Sequence, residues 1–242
     1  MKKIIKRVLL VIGAIFIFLV STGLSYYYPM LVMPPVKTGK VPDTNVSTVN
    51  AMSAVYFIET NGGYIMIDAG LSIKKLQASL KEVMIDPSDV KWILLTHSDG
   101  DHVTGLTLFP NAEIYMNEDE LQLINGTTKR NIFGGTVMPS GIDVEKINLL
   151  FDGQVLQFNG VNIQCIKAPG HTTGSMVYRV DGKYLFTGDV LKIKNGKMSV
   201  HPYSMDKKLS KKTIEQLMGI IENSSIVMTS HYGLYQSQIL FH

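Results

Sequence analysis

Seven metal-competent side chains each fall just beyond a stretch that reads as a β-strand, and no other feature limits the fold so narrowly. His97, Asp99, Asp101 and His102 follow Lys91 to Leu95 and Thr96; His171 follows Val161 to Ala168; Asp189 follows Lys183 to Thr187; His231 follows Ser225 to Thr229. Each sits in a loop of Gly, Ser or Thr. Strand ends are where a sheet presents side chains to a shared crevice, so loops far apart in sequence can converge there. Residues 97, 99 and 101 alternate by two and are expected on one side of an extended segment, with His102 turned differently by its adjacency. One such loop can feed two neighbouring metals. Imidazole with carboxylate and no thiolate suits Zn, Fe or Mn.

The remaining pattern predicts a layered α/β domain. Ser53 to Glu59 and Tyr64 to Ile67 flank Asn61-Gly62-Gly63, the signature of a hairpin. Ile73, Leu76, Leu80 and Val83 mark one helical face over Ser72 to Met84, stopped by Asp86-Pro87. A short strand (Glu113 to Met116) and a helix (Glu118 to Ile124) lead into Asn125 to Gly141, a Gly-rich irregular stretch placed to form the rim of an active site. Strands then crowd together at Lys146 to Leu150, Gln154 to Phe158, Val161 to Ala168, Met176 to Val180 and Lys183 to Thr187. A helix over Asp206 to Glu222 and the strand Ser225 to Thr229 close the series. Strands, helix, strands, helix and strand imply layers with much antiparallel pairing.

A length of 242 residues fits one domain with an appendage, and the appendage is N-terminal. No charged residue occurs from Val8 to Val36, and Val8 to Val20 is apolar throughout. About 20 apolar residues cross a bilayer as a helix. Lys2, Lys3, Lys6 and Arg7 precede this run and Tyr26 to Tyr28 end it, as a cytoplasmic flank and an interfacial belt would. Residues 1–28 therefore read as a membrane anchor, with the lipid bilayer against residues 8–28. Residues 29–45, rich in proline, read as a spacer, and residues 46–242 as an extracytoplasmic domain. The rival is a signal peptide cleaved near Ser21 to Gly23, which would release the domain as a secreted protein. The formal charge of +3 belongs to the same appendage: without its four cations, 19 Lys and Arg face 20 Asp and Glu, leaving −1. The body carries no basic excess that would draw a nucleic acid. Cys165, the sole cysteine, lies in the apolar run Val161 to Ile166 and reads as a small buried hydrophobe.

Five segments in order carry a resemblance: Tyr64-Ile-Met-Ile-Asp68-Ala-Gly70, Thr96 to His102, Ala168-Pro-Gly-His171-Thr-Thr-Gly-Ser175, Phe186-Thr-Gly-Asp189 and Ser230-His231-Tyr-Gly233. With spacings of 69, 18 and 42 residues between His102, His171, Asp189 and His231, the chain resembles the metallo-β-lactamase superfamily over about residues 46–242. It is more similar to the glyoxalase II-like hydrolases than to the true lactamases. The resemblance implies an α/β fold, the αββα four-layer sandwich, and two divalent metal ions, foremost Zn. His97, residue 99 and His171 would hold the first; Asp101, His102 and His231 the second; Asp189 would bridge them. Lactamases that use cysteine carry it where this chain has Asp189, so no thiolate ligand is implied.

The same resemblance implies a hydrolase in which metal-activated hydroxide attacks an ester, thioester, amide or lactam, or phosphoester bond of a small molecule, with Asp101 steering the proton. No segment between residues 103 and 170 resembles the nucleic-acid subdomain of the family, so no nucleic-acid partner is implied. The rivals are a non-haem iron redox enzyme of the same fold and a non-catalytic exported metal-binding protein.

Position 99 is the departure. The family motif T-H-x-H-x-D-H has histidine where this chain has Asp99. Three carboxylates, two divalent ions and one hydroxide sum to zero, where the usual set carries +1. A less positive cluster activates water less and opens the site to Mn or Fe. The alternative is that Asp99 does not ligate. Asp68 reads either as a partner that orients a ligand histidine or as a strand-end turn residue. Thr172, Thr173 and Ser175 shape the loop after His171, and Tyr232 reads either as a donor to an oxyanion or as packing. His201 and His242 read as surface residues, and Lys207, Lys208, Lys211 and Lys212 as a solvated helix face.

Overall fold

The computed structural model describes residues 2–31, 33–34, 37–130, 136 and 138–236. The chain divides into two units, Met1–Pro34 and Pro35–His242. The first is helix α1 (Lys2–Leu31). Its stretch Ile5–Pro29 has a mean hydropathy of 2.5, with none of its most apolar window buried. It is the one helix among the described residues long and apolar enough to cross a membrane. The hydroxyls of Ser21 and Thr22 donate to the carbonyls of Phe18 and Leu19 within the helix, so these two groups are satisfied without an outside partner.

The second unit is built on two sheets. The first contains β1 (Gly39–Lys40), β2 (Val46–Asn50), β3 (Ala54–Thr60), β4 (Gly63–Ile67), β5 (Val90–Leu94), β6 (Glu113–Asn117) and β7 (Asn148–Leu150), in that spatial order. Its first four strands are antiparallel and β4 to β7 are parallel. The second contains β8 (Val155–Phe158), β9 (Val161–Lys167), β10 (Met176–Val180) and β11 (Tyr184–Gly188). A separate hairpin, β12 (Leu191–Lys194) with β13 (Lys197–Val200), follows in the chain. Next come β14 (Ile226–Thr229) and β15 (Leu234–Gln236), which complete the second sheet in the order β15-β14-β11-β10-β9-β8.

Alternation along the strands sorts three cores. Ala54, Tyr56 and Ile58 of β3 meet Met176, Tyr178 and Val180 of β10 between the sheets. Val55 and Phe57 point the other way, onto Leu76 and Leu80 of α2 (Ile73–Glu82). Val177 of β10 turns outward with Ile214, Leu217 and Ile221; these three belong to the last helix, Lys207–Glu222. Helix, sheet, sheet and helix form the expected αββα sandwich. Each large side chain buried in these layers contributes about 1.5–3 kcal/mol.

Several elements differ from the sequence reading. Strand β1 lies in the stretch read as spacer, and Val41 just after it is buried in the inter-sheet core. The hairpin β12–β13 was not expected; it turns on Asn195-Gly196, both with positive φ (51° and 71°), the geometry of a tight two-residue loop. Residues 100–103 form a helical turn, α3 (Gly100–Val103), where an extended segment was expected. The helix expected over 118–124 is a 3-10 turn followed by α4 (Leu121–Ile124). Lys207–Glu222 is accordingly α5, and its four lysines are exposed as anticipated. His242 lies outside the described residues.

Candidate metal centre

Four hydrogen bonds join the two sheets where the ligand-bearing strands end. Tyr56 Oη donates to the Thr229 carbonyl at 2.7 Å and Tyr178 Oη to that of Leu95 at 2.6 Å. The amides of Met176 and Ala54 donate to Thr96 and Ser230, each at 2.8 Å. The ends of β5 and β14 are thereby held at one rim, with buried phenols serving as spacers.

Asp68, at the end of β4 with φ +60°, organises the first loop. It accepts from Thr96 N at 2.8 Å and from Thr96 Oγ1, and its Oδ2 lies 2.8 Å from His102 Nδ1. That contact fixes the imidazole with Nε2 toward the centre, the orientation metal-binding histidines require. Asp99 stands at the N-cap of α3, but its side chain makes no cap bond. The turn carries Asp101 and His102 around to face the ends of β11 and β14, so the expected alternation of 97, 99 and 101 does not occur.

The remaining loops are set by close approach. A Cβ on Gly170 (φ +131°) would meet Ser210 N at 2.5 Å, because the start of α5 packs directly on the His171 loop. The amides of Met205 and Asp206 donate to the carbonyls of His171 and Gly170 at 3.0 and 2.9 Å. Gly188 (φ +52°) likewise leaves no room for a Cβ, which would sit 2.5 Å from Thr96 Oγ1; Asp189 follows it into the centre.

Glu120, which the sequence reading passed over, clips two ligand loops together. It is fully buried. Its Oε2 accepts from Ser98 N at 2.8 Å and Ser98 Oγ at 2.5 Å, and its Oε1 accepts from Thr172 Oγ1 at 2.6 Å and Gly174 N at 2.8 Å. Thr172 and Ser175 thus shape the His171 loop as expected, through this carboxylate and through each other.

Among the described residues three groups have ligand atoms all within 4.8 Å of one another: Asp101, His102, Asp189 and His231; His97, Asp99 and His171; and His171, Asp189 and His201. All seven residues singled out from the sequence belong to them. Asp189 Oδ2 is the hub, 3.4 Å from His231 Nε2, 3.6 Å from His171 Nε2, 3.7 Å from His201 Nε2 and 3.8 Å from His102 Nε2. His231 Nε2 is also 3.0 Å from Asp101 Oδ2.

His201 corrects the sequence reading: it is not a surface residue but is 2% exposed. The unforeseen hairpin delivers it, one residue past β13, with its ring 4.8 Å from that of His171. Tyr232 is buried too, its ring 5.8 Å from His201 and its hydroxyl without a hydrogen-bond partner.

The electrostatics follow from burial opposed by mutual attraction. Burial raises the Asp99 carboxyl, but His171, His97 and Arg130 outweigh it and hold it well below the usual carboxylate range. Burial likewise opposes Asp189, which His231, His201 and His102 hold well down. His231 is lifted to about 10 against its burial by Asp189 and Asp101. In His201 burial wins and brings the imidazole down to about 3.

The first two of the three ligand groups differ as metal sites, and the third shares His171 and Asp189 with them. His97 Nε2, His102 Nε2, His171 Nδ1, Asp189 Oδ1 and both nitrogens of His201 are buried without hydrogen-bond partners; unpaired buried polar atoms cost about 1–3 kcal/mol each. Two of these, His102 Nε2 and Asp189 Oδ1, belong to the group of Asp101, His102, Asp189 and His231, which fits a divalent cation. The His97, Asp99 and His171 group is different, because Arg130 reaches into it from the 125–141 stretch. Arg130 Nε lies 2.9 and 3.1 Å from the two Asp99 oxygens, Nη2 lies 2.7 Å from Asp99 Oδ2 and 3.1 Å from His171 Nε2, and Nη1 donates to the Tyr203 carbonyl at 2.8 Å. Thr136 of the same stretch pairs with Asp99 as an isolated bridge. No signal in the sequence marked Arg130.

The comparisons agree with this architecture. The probable polyketide biosynthesis zinc-dependent hydrolase PksB of Bacillus subtilis is 29% identical over 130 residues, 52% of this chain and 49% of that protein. A hydroxyacylglutathione hydrolase of Xanthomonas euvesicatoria is 31% identical over 134 residues (55% and 44%), and an exodeoxyribonuclease of Streptococcus pneumoniae is 29% identical over 116 (43% and 43%). The chain spans about half the length of these relatives. Among solved structures, a superfamily protein from Sulfolobus tokodaii aligns with TM-score 0.60 at 22% identity, covering 82% of this chain and 84% of that one. A subclass B3 metallo-β-lactamase of Bradyrhizobium japonicum aligns at 0.63 and 18%, covering 82% and 79%. At such identities the likeness is one of fold. The profile of the metallo-β-lactamase superfamily itself matches residues 50–219, more than half of the sequence, and the chain therefore belongs to that superfamily.

Proposed function

We propose that the Pro35–His242 unit is a metal-dependent hydrolase of a small molecule, cleaving an ester, thioester, amide or lactam, or phosphoester bond. One observation carries this: Asp101, His102, Asp189 and His231 bring their ligand atoms within 4.8 Å of one another, with His102 Nε2 and Asp189 Oδ1 unpartnered. A divalent ion held there supplies a Lewis acid and lowers the pKa of water. Asp68 keeps the His102 ring in register. Asp101 is the most open of the four, its side chain 31% exposed against 8% or less for the others. That exposure supports a role in which its carboxylate would take a proton from an entering water and pass it outward. The names of two relatives, a zinc-dependent hydrolase and a hydroxyacylglutathione hydrolase, support Zn and an ester or thioester substrate. Asp101 and Asp189, two carboxylates among the four, support Mn or Fe as substitutes. The net charge of −1 outside the N-terminal cations gives no electrostatic footprint for a polyanion, which favours a small molecule over DNA.

In this reading α1 is a single-pass anchor with its cationic end in the cytoplasm and the hydrolase outside, following the excess of cations before the apolar run. Protease accessibility of the domain in intact cells tests that placement. The activity is tested on the full chain in mild detergent, stripped with chelator and restored with Zn, Mn or Fe(II), against a panel of the named bonds. Turnover should return only with metal and vanish in Asp189→Ala and His231→Ala. Equal turnover in the stripped protein refutes the proposal.

A further inference from the structure

We infer that the Arg130 guanidinium takes the place of the first metal ion beside Asp99 and His171, so that this centre holds a single divalent ion, at Asp101, His102, Asp189 and His231. The inference rests on the metal-dependent reading above and sharpens it to a stoichiometry.

Three observations carry it. The guanidinium is as buried as a ligand: the Arg130 side chain is 2% exposed and that of Asp99 4%. Both Asp99 oxygens accept from it in the forked geometry that arginine makes with carboxylates. Second, Nη2 lies 3.1 Å from His171 Nε2. That nitrogen also lies 3.3 Å from Asp99 Oδ2, so it either accepts from the arginine or, when it carries the proton, donates to Asp99; an imidazole nitrogen has one in-plane lone pair or one proton. In either state it has no lone pair left for a metal. His97 Nε2, the third member of the group, has no hydrogen-bond partner and cannot hold an ion alone.

Third, the charges balance with one ion. Asp99 and Arg130 cancel as a pair, leaving Asp101 and Asp189, two negative charges that one divalent cation neutralises. A second ion would raise the buried cluster to +2 before any bound water ionised, an expensive charge to hold away from solvent. The carboxylate at 99 and the arginine at 130 are then two halves of one substitution: a neutral histidine that would hold a metal is replaced by an anion that holds a guanidinium. Because Nη1 also donates to the Tyr203 carbonyl, the same side chain pins the segment beyond the β12–β13 hairpin to the centre, next to His201.

The test is metal stoichiometry, read without any substrate. The full chain in detergent is stripped, then titrated with Zn, and separately with Mn, by calorimetry, with elemental analysis after desalting. Wild type should saturate at one ion per chain. Arg130→Met and Arg130→Ala should each bind a second ion, since Asp99, His171 and His97 are then free to close on it; Asp99→His with Arg130→Ala should do so more tightly. Circular dichroism establishes that each variant is folded. Two ions in wild type overturn the inference and leave the hydrolase reading standing, as do folded Arg130 variants that remain at one ion. No ion in wild type overturns both. The wild-type titration is decisive against the inference even if every variant misfolds.

Discussion

Replacing Glu120 by Gln changes no volume and removes one formal charge, yet the structure requires it to be costly. The carboxylate accepts two bonds on each oxygen, and each oxygen serves one backbone amide, Ser98 on one side and Gly174 on the other. A glutamine must turn its NH₂ toward one of those amides, donor against donor, in a fully buried site. One bond to a charged acceptor is lost, about 1.5–3 kcal/mol, and a buried N–H is left unpaired; the bonds that remain drop to the neutral kind, roughly half as strong. The sum is about 3 kcal/mol, a large share of the 5–15 kcal/mol that typically holds a domain together. For a unit of this size that lowers the melting temperature by about 6–12 °C. Metal affinity should fall as well, because the clip holds Ser98, in the loop that carries Asp101 and His102. Urea and thermal unfolding of Glu120→Gln beside wild type, at fixed metal concentration, measure the first effect. A difference below about 0.5 kcal/mol, the level of an ordinary surface substitution, would refute the reading of Glu120 as the clip between the two loops.

Asp68→Asn should keep the fold but reduce metal affinity about 10–100-fold, since the amide can turn its NH₂ to His102 only by driving the imidazole proton onto Nε2; competition with a chromophoric chelator measures this. Restoring metal to the stripped protein should raise stability by about 4 kcal/mol at a free concentration 1,000 times Kd, read as an upward shift in the melting curve. Burial pushes the Cys165 thiol from 9.0 up to about 12, so at pH 8 the thiolate is about 1,000-fold scarcer than in an ordinary cysteine and thiol reagents should label the native chain only on unfolding. Rapid labelling of folded protein would contradict the buried placement of that side chain.

What the sequence disclosed depended on how far apart the interacting residues lie. His97, His102, His171, Asp189 and His231 were legible because each follows a strand whose apolar run ends in Gly, Ser or Thr. Local pattern is enough for that. His201 sits in the same context, one residue past β13, but Lys192, Lys194 and Lys197 break the apolar signal of the hairpin. Its turn dipeptide Asn195-Gly196 was the available clue. Glu120 and Arg130 had no local signature at all. Their meaning lies in contacts to residues 22 to 54 and 31 to 73 positions away, which no periodicity records.

The same limit bears on the metal count. Read from sequence, Asp99 completes a neutral centre of three carboxylates, two divalent ions and one hydroxide. Once the Arg130 guanidinium is counted, that set carries +1, whereas one ion with a neutral water brings the cluster to zero. Neutrality, which two ions and a hydroxide meet without the arginine, is met by one ion and a water as soon as a cation 31 residues downstream is included. The chemical consequence follows from the same charges: a hydroxide in the one-ion centre would bring it to −1, so ionising the water is harder than in a centre of two ions and no arginine. The acid limb of the pH–rate profile should therefore lie at higher pH in wild type than in a folded Arg130→Met that has taken up its second ion, and the opposite order would show that the guanidinium does not govern the charge of this site.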